Sequence, residues 1–180
     1  MAAHPRRADA RANDERILRA AARVLADDPR ATIQRIADEA GVVRLTVYRR
    51  YPGRDALRRA IFDVAAVEAR EAIPAHPVED PVAGLRVLIV EMAAIARRYP
   101  LLVAEHDVRP LASPAGRALQ RAVLGLVRRG QDLGVLRADL PAQLLPQAIV
   151  GTLRTSGAPG EQVADLLLDG FTARGRRRTA

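Results

Sequence analysis

The chain has 180 residues, 49% of them hydrophobic and 3% aromatic, with a formal net charge of +8 at pH 7. That length suffices for a small domain and one larger helical domain with a real core. The absence of cysteine excludes disulfides, thiolate catalysis and cysteine-ligated zinc.

Residues 1–12 are expected to form a disordered basic arm, either a poorly ordered terminus or a segment that enters a minor groove. A helix over residues 16–26 follows, with Ile17, Leu18, Ala21, Ala22, Val24 and Leu25 on its apolar side, ending before Pro29. Next come Ile33, Ile36, Ala37 and Ala40, spaced three and four apart on one helix face behind Thr32, whose hydroxyl can cap the first turn. Gly41 stands where a positive φ ends the helix. In the short helix after it, Val42, Val47 and Tyr51 can turn inward while Arg44, Leu45, Tyr48 and Arg49 face out.

This is a helix-turn-helix layout, and DNA binding is the function it implies. Between Ala40 and Arg54 there is no acidic residue, yet Arg44, Arg49, Arg50 and Arg54 are present with two of the chain's three tyrosines. Arginine suits guanine edges, tyrosine hydroxyls reach phosphates, and an aliphatic side chain can touch a thymine methyl.

A fourth helix opens after Pro52 and Gly53 and runs to about residue 72, with Leu57, Ile61, Val64 and Ala65 at helical spacing. Three prolines within residues 74–81 form a linker that stops it. Helices are then expected over residues 82–99, 100–108, 115–133, 141–155 and 160–173, with no strand-like alternation, so the fold class is all-α. The implied organisation is an arm at 1–12, a helix-turn-helix domain at 13–58, a helical regulatory and dimerisation domain at 59–174, and a basic tail at 175–180.

The run IADEAGV at residues 36–42 and TVYRRYPGRDAL at residues 46–57 resemble the tetracycline-repressor (TetR) family of bacterial transcription regulators, over about the first third of the chain. The resemblance implies that Thr32, Thr46, Tyr48 and Arg54 contact phosphates and that Arg44, Leu45 and Arg49 lie near base edges. Arg50 joins this DNA-contacting set, although it replaces a His or Tyr of the family pattern. Val43 stands where the family often has Ser, Leu45 where a small residue is usual, and Tyr51 where Phe is usual. Losing Ser at 43 removes a helix cap worth roughly 1 kcal/mol.

Charge follows the same division: residues 1–60 carry a net +6, residues 61–173 a net −2, and residues 174–180 add four arginines. A positive N-terminal third is what phosphate binding requires. All 29 basic residues are arginine, which lowers the weight of any one taken alone.

The resemblance further implies a homodimer in which the last two helices of each subunit build a four-helix bundle. Leu145, Ile149 and Leu153, then Val163, Leu167 and Phe171, are the expected interface, with filling of the subunit's own core as the alternative. The run 166–168 puts three leucines in a row around more than half a helix, which favours a partner. A small-molecule inducer is expected among the middle helices, with Glu91, Met92, Tyr99, His106, Gln120 and Arg154 as candidate lining residues and a mainly apolar ligand.

The reading is a cytoplasmic repressor of a palindromic operator on double-stranded DNA, released by that ligand. The alternative is a DNA-binding module whose C-terminal domain binds a protein or only dimerises. No catalytic motif, cofactor, metal site or membrane contact is expected, since no phosphate loop, HExxH pair or nucleophile elbow is present.

Overall fold

A computed structural model describes residues 5–73, 80–104 and 113–173, with side chains from residue 12 onward. Among the described residues the structure is all-helical: α1 (Pro5–Asp27), α2 (Ile33–Ala40), α3 (Arg44–Arg50), α4 (Arg54–Glu71), α5 (Pro81–Arg98), α6 (Leu101–Ala104), α7 (Pro114–Asp132), α8 (Leu144–Ser156) and α9 (Gly160–Phe171). The only extended pairing among them is an isolated antiparallel bridge between Leu136 and Thr172.

The segment expected to be a disordered arm is helical from Pro5. Proline is well suited to a first helical position, because its missing N–H has no intrahelical partner there anyway. The following run of Ala and Arg has high helix propensity. Residues 1–4 and the tail from 174 lie outside the described residues.

Two compact units divide the chain, Met1–Val64 with Arg98–Val108, and Ala65–Arg97 with Arg109–Ala180. The division therefore falls inside α4 rather than at residue 58. Leu57 and Ile61, in the first half of α4, are fully buried, which keeps that half with the N-terminal helices.

In the first unit α1 packs against α2 and α6, and α2 against α3. The apolar stripe of α1 (Ile17, Leu18, Ala21, Leu25) is buried together with Ile36 and Ala37 of α2 and Val47 of α3. Two local devices fix the ends of α2, the second of them making the turn into α3. Thr32 caps α2 by accepting the Arg35 N–H at 3.2 Å. At the other end Gly41 adopts φ 64°, ψ 39°. Its N–H donates to Asp38 O at 3.1 Å, and Val42 N–H donates to Ala37 O at 3.0 Å. This paired bonding is a Schellman closure, which satisfies carbonyls the helix end would otherwise leave unpaired.

In the second unit α8 packs on α9 and α7 on α8. A Cβ on Gly160 would lie 3.0 Å from Ala93 Cβ and from Val90 Cα, so α9 begins in direct backbone contact with α5. The turn after α7 is tied down by Gln131, whose amide donates to Arg137 O and Leu140 O, each at 2.9 Å. No helix among the described residues is long and apolar enough to cross a membrane.

Candidate nucleic-acid interface

The α3 helix is seven residues long, and only Val47 is fully buried. At about 100° per residue, Leu45 and Arg49 point almost directly away from Val47, Thr46 and Tyr48 lie on opposite flanks, and Arg44 and Arg50 sit roughly 60° either side of the buried residue. Exposure follows that wheel: Leu45 is 63% exposed and Tyr48 56%. Arg44 and Arg49 are exposed, while Thr46 is half-buried.

Elsewhere in the first unit some arginines are paired, Arg19 with Glu15, Arg23 with Glu39, Arg35 with Asp28 and Arg58 with Asp55, while Arg16 bonds only the neutral Asn13 and Arg54 only a backbone carbonyl. Arg44 and Arg49 have no ion-pair partner among the described residues. The outward face of α3 therefore carries uncompensated cations beside exposed aliphatic and phenolic groups. That mixture matches a surface of phosphates and base edges.

Two further positions expected to meet phosphates lie at helix starts. Thr32 uses an oxygen lone pair to cap α2, which leaves its hydroxyl hydrogen free to donate outward. Arg54, at the first turn of α4, donates to Arg30 O at 2.6 Å. Its guanidinium has further donors and stays exposed. Arg58 donates to Pro29 O at 3.0 Å and sits behind it. Thr32, Arg54 and Arg58 line one open concavity with Arg30 and Gly53.

Arg50 is exposed as well, but it has an acidic partner. Its guanidinium donates to the Asp14 carboxylate of α1 at 2.5 Å. Arg44 holds the mirror position on the wheel, so it is the Asp14 carboxylate and not the angle alone that draws Arg50 toward α1. Tyr51 shares the cluster. Burial, then the Asp14 charge, pushes its phenol above the ordinary value. Hydrogen bonding to Asp14, then to Tyr51, raises Arg50. Asp14 escaped the sequence reading although a signal existed: with Leu18, Ala21 and Leu25 it occupies one stripe of α1, an acid in line with the core.

As its sequence suggested, α3 lacks a side-chain cap: Val43, 70% exposed, takes the N-cap position with no side-chain hydrogen bond.

The sequence profile described as "Bacterial regulatory proteins, tetR family" matches residues 17–61, which span α1 through the start of α4. The HTH-type transcriptional regulator NfxB of Pseudomonas aeruginosa is 30% identical over 146 residues, 77% of each chain. The chain belongs to the TetR family. Among solved structures, the TetR regulator SCO0520 of Streptomyces coelicolor is 27% identical with a TM-score of 0.59, covering 88% of this chain and 98% of that one. The TetR-like regulator LfrR of Mycobacterium smegmatis, solved in complex with proflavine, shares the fold at 24% identity and a TM-score of 0.63, over 94% and 99% of the two chains. As a TetR-family transcriptional regulator the chain carries a DNA-binding helix-turn-helix, formed here by α2 and α3.

The remaining candidate residues of this TetR-family chain fall as follows. The expected dimer stripe is largely occupied within the subunit: Leu145, Ile149, Val163 and Leu167 are buried in the single chain, and Leu153 and Phe171 are half-buried. The two helices pack on each other, and the large apolar side chains they leave exposed are Leu144, Val150 and Leu166, the last 67% exposed. Of the run 166–168, Leu167 and Leu168 go inward and Leu166 outward.

Of the expected inducer-pocket residues, Glu91 and Met92 on α5 and Arg154 on α8 are half-buried. Gln120 on α7 is exposed, at the margin of a helix whose buried side is Gly116, Val123, Leu126 and Val127, and so faces solvent instead of a cavity. Tyr99 is fully buried in the first unit. His106 lies outside the described residues.

Proposed function

We propose that the chain is a homodimeric, cytoplasmic repressor whose α3 helices enter successive major grooves of a palindromic operator and whose grip is released by a small, mainly apolar ligand. The observation that carries the reading is the exposed face of α3, where Leu45, Tyr48 and Arg49 stand outward with Arg44 beside them and no acidic residue lies between Ala40 and Arg54. Arg49 and Leu45 read base edges with Arg44 at their side. Thr46 and Tyr48, on opposite flanks, hold the phosphates bordering the groove, and Thr32 and Arg54 hold the phosphate run beside them. The dimer forms through the outer sides of α8 and α9, where Leu144, Val150 and Leu166 stay exposed on the single chain. Two-fold symmetry then requires a two-fold operator.

Release follows if the ligand binds better to the state whose heads no longer match the operator, since equal affinity for both states shifts nothing. The proflavine held by LfrR supports a ligand-binding role for the same fold. The α4 helix, shared by both units, is the continuous element that transmits the change.

The test is a set of binding isotherms on an operator selected from random duplexes. Tyr48→Phe and Arg54→Ala weaken binding to every duplex, and Arg54→Ala lowers the salt slope by about one. Arg44→Ala costs roughly 1–3 kcal/mol on the operator and little on random DNA. Equal losses on both would remove Arg44 from the base-reading set.

A further inference from the structure

Four arginines stand between Ala40 and Arg54 inclusive of the latter, and each would add to the grip on phosphates if free. Arg50 has a partner of its own. Its guanidinium meets the Asp14 carboxylate, 36 residues earlier in the chain, on a different helix. The Asp14 side chain is 25% exposed while that of Arg50 is 62% exposed, so the acid is anchored and the cation reaches to it. Arg50 also shares its flank of α3 with Thr46, four residues before it, one of the two flanks proposed to border phosphates. A freed Arg50 would therefore have a phosphate within its sector. A guanidinium already neutralised by a carboxylate displaces no condensed counterion when a duplex arrives.

Building on the DNA-reading role of α3 proposed above, we propose that Asp14 is a positioning residue that withholds Arg50 from DNA, clipping the end of α3 to α1 so that the helix meets the duplex with one cation fewer than its sequence carries. Specific recognition then rests on the outward residues Leu45 and Arg49, while the sequence-independent attraction that scales with neutralised phosphates is trimmed. Asp14 touches no DNA and acts only through Arg50. Tyr51, half-buried, closes α3 through its backbone N–H to Val47 O at 2.8 Å, directly after Arg50.

The experiment is a double-variant cycle read as the slope of log affinity against log salt, on random duplex DNA, with the full chain. Asp14→Asn keeps the shape of the side chain and removes its charge. Its slope is expected to steepen by about 0.9, one additional phosphate contact. Arg50→Gln is expected to keep the wild-type slope, and the double variant Asp14→Asn/Arg50→Gln to return to it. Thermal melts of all four proteins by circular dichroism establish that each is folded, and the Arg50→Gln arm stands even if Asp14→Asn unfolds.

Three results would overturn the proposal. Asp14→Asn could leave the slope unchanged. Arg50→Gln could flatten it by about 0.9, which would put Arg50 on a phosphate already. Or the steepening could persist in the double variant, which would make it a general effect of removing an acid. A wild-type chain with no salt-dependent binding at all would instead overturn the DNA-reading role on which the proposal rests.

Discussion

Substituting Val43 by serine should stabilise the DNA-reading head, and the size of the effect can be worked from its neighbours. Three helices begin on a residue in nearly the same extended conformation: Thr32 at φ −77°, ψ 154°, Ser113 at −83°, 157°, and Val43 at −72°, 144°. The first two accept a third-residue amide on their hydroxyls, at 3.2 Å and 3.0 Å. Val43 cannot, and the Thr46 amide is held only by the Val43 carbonyl at 2.9 Å. A serine there inherits a backbone already set for capping, a gain of about 1 kcal/mol over alanine at the same site. Comparison with Val43→Ala rather than with wild type removes the small apolar loss, since the valine is 70% exposed. For a chain of this length 1 kcal/mol corresponds to about 2–4 °C in Tm. In urea the midpoint should rise with no change in slope. Thr32→Ala should lose a similar amount. Identical melting of Val43→Ser and Val43→Ala would refute the capping argument.

Other variants probe the remaining joints of the structure. Gly160→Ala, where the new methyl meets the Val90 backbone at 3.0 Å, should destabilise the second unit by roughly 1–3 kcal/mol, measured by denaturant unfolding. Gly41→Ala has open space for its methyl, so its cost should be confined to the left-handed backbone, about 1–2 kcal/mol. Because the Tyr51 phenol is raised above its ordinary 10.0 in the folded chain, its contribution is complete below pH 10.0 and falls as pH climbs through the folded value. Tyr51→Phe should therefore lessen the loss of stability in alkaline urea melts, and an unchanged alkaline profile would count against that cluster. Leu166→Asp and Val150→Asp should yield monomers in sedimentation velocity, whereas Gln120→Asp, exposed on α7, should leave the assembly intact.

The reading head was legible because its determinants are local. Thr32, Gly41 and the apolar spacing of α2 act over three or four residues, so the sequence shows them directly. Val47 and the outward Leu45 and Arg49 followed from helical periodicity alone. The pairing of Arg50 was not legible because it depends on Asp14, a contact across 36 residues that no local pattern contains. The stripes of α8 and α9 are a different case. Apolar residues mark a face that must be covered, and Leu145 and Val163 are already buried within the single chain, where α8 and α9 pack together; periodicity carries no sign for which cover a stripe meets. The first helix starts earlier than expected because its charged, alanine-rich beginning lacks an apolar stripe, the only cue used to find it, while propensity alone sustains the helix from Pro5. Gln120 interrupts an apolar face in sequence, yet the edge of a helix is also where a polar residue can simply face water.

The most direct test of the account is selection of duplexes from a random pool at about 0.15 M salt, where screening suppresses weak surface attraction, with the wild-type chain and the Leu45→Ala and Arg49→Ala variants side by side. Reading by α3 predicts a two-fold symmetric motif for wild type and altered bases within each half-site for both variants. A wild-type pool without enrichment, or variants that select the same motif as wild type, would contradict the placement of α3 in the major groove.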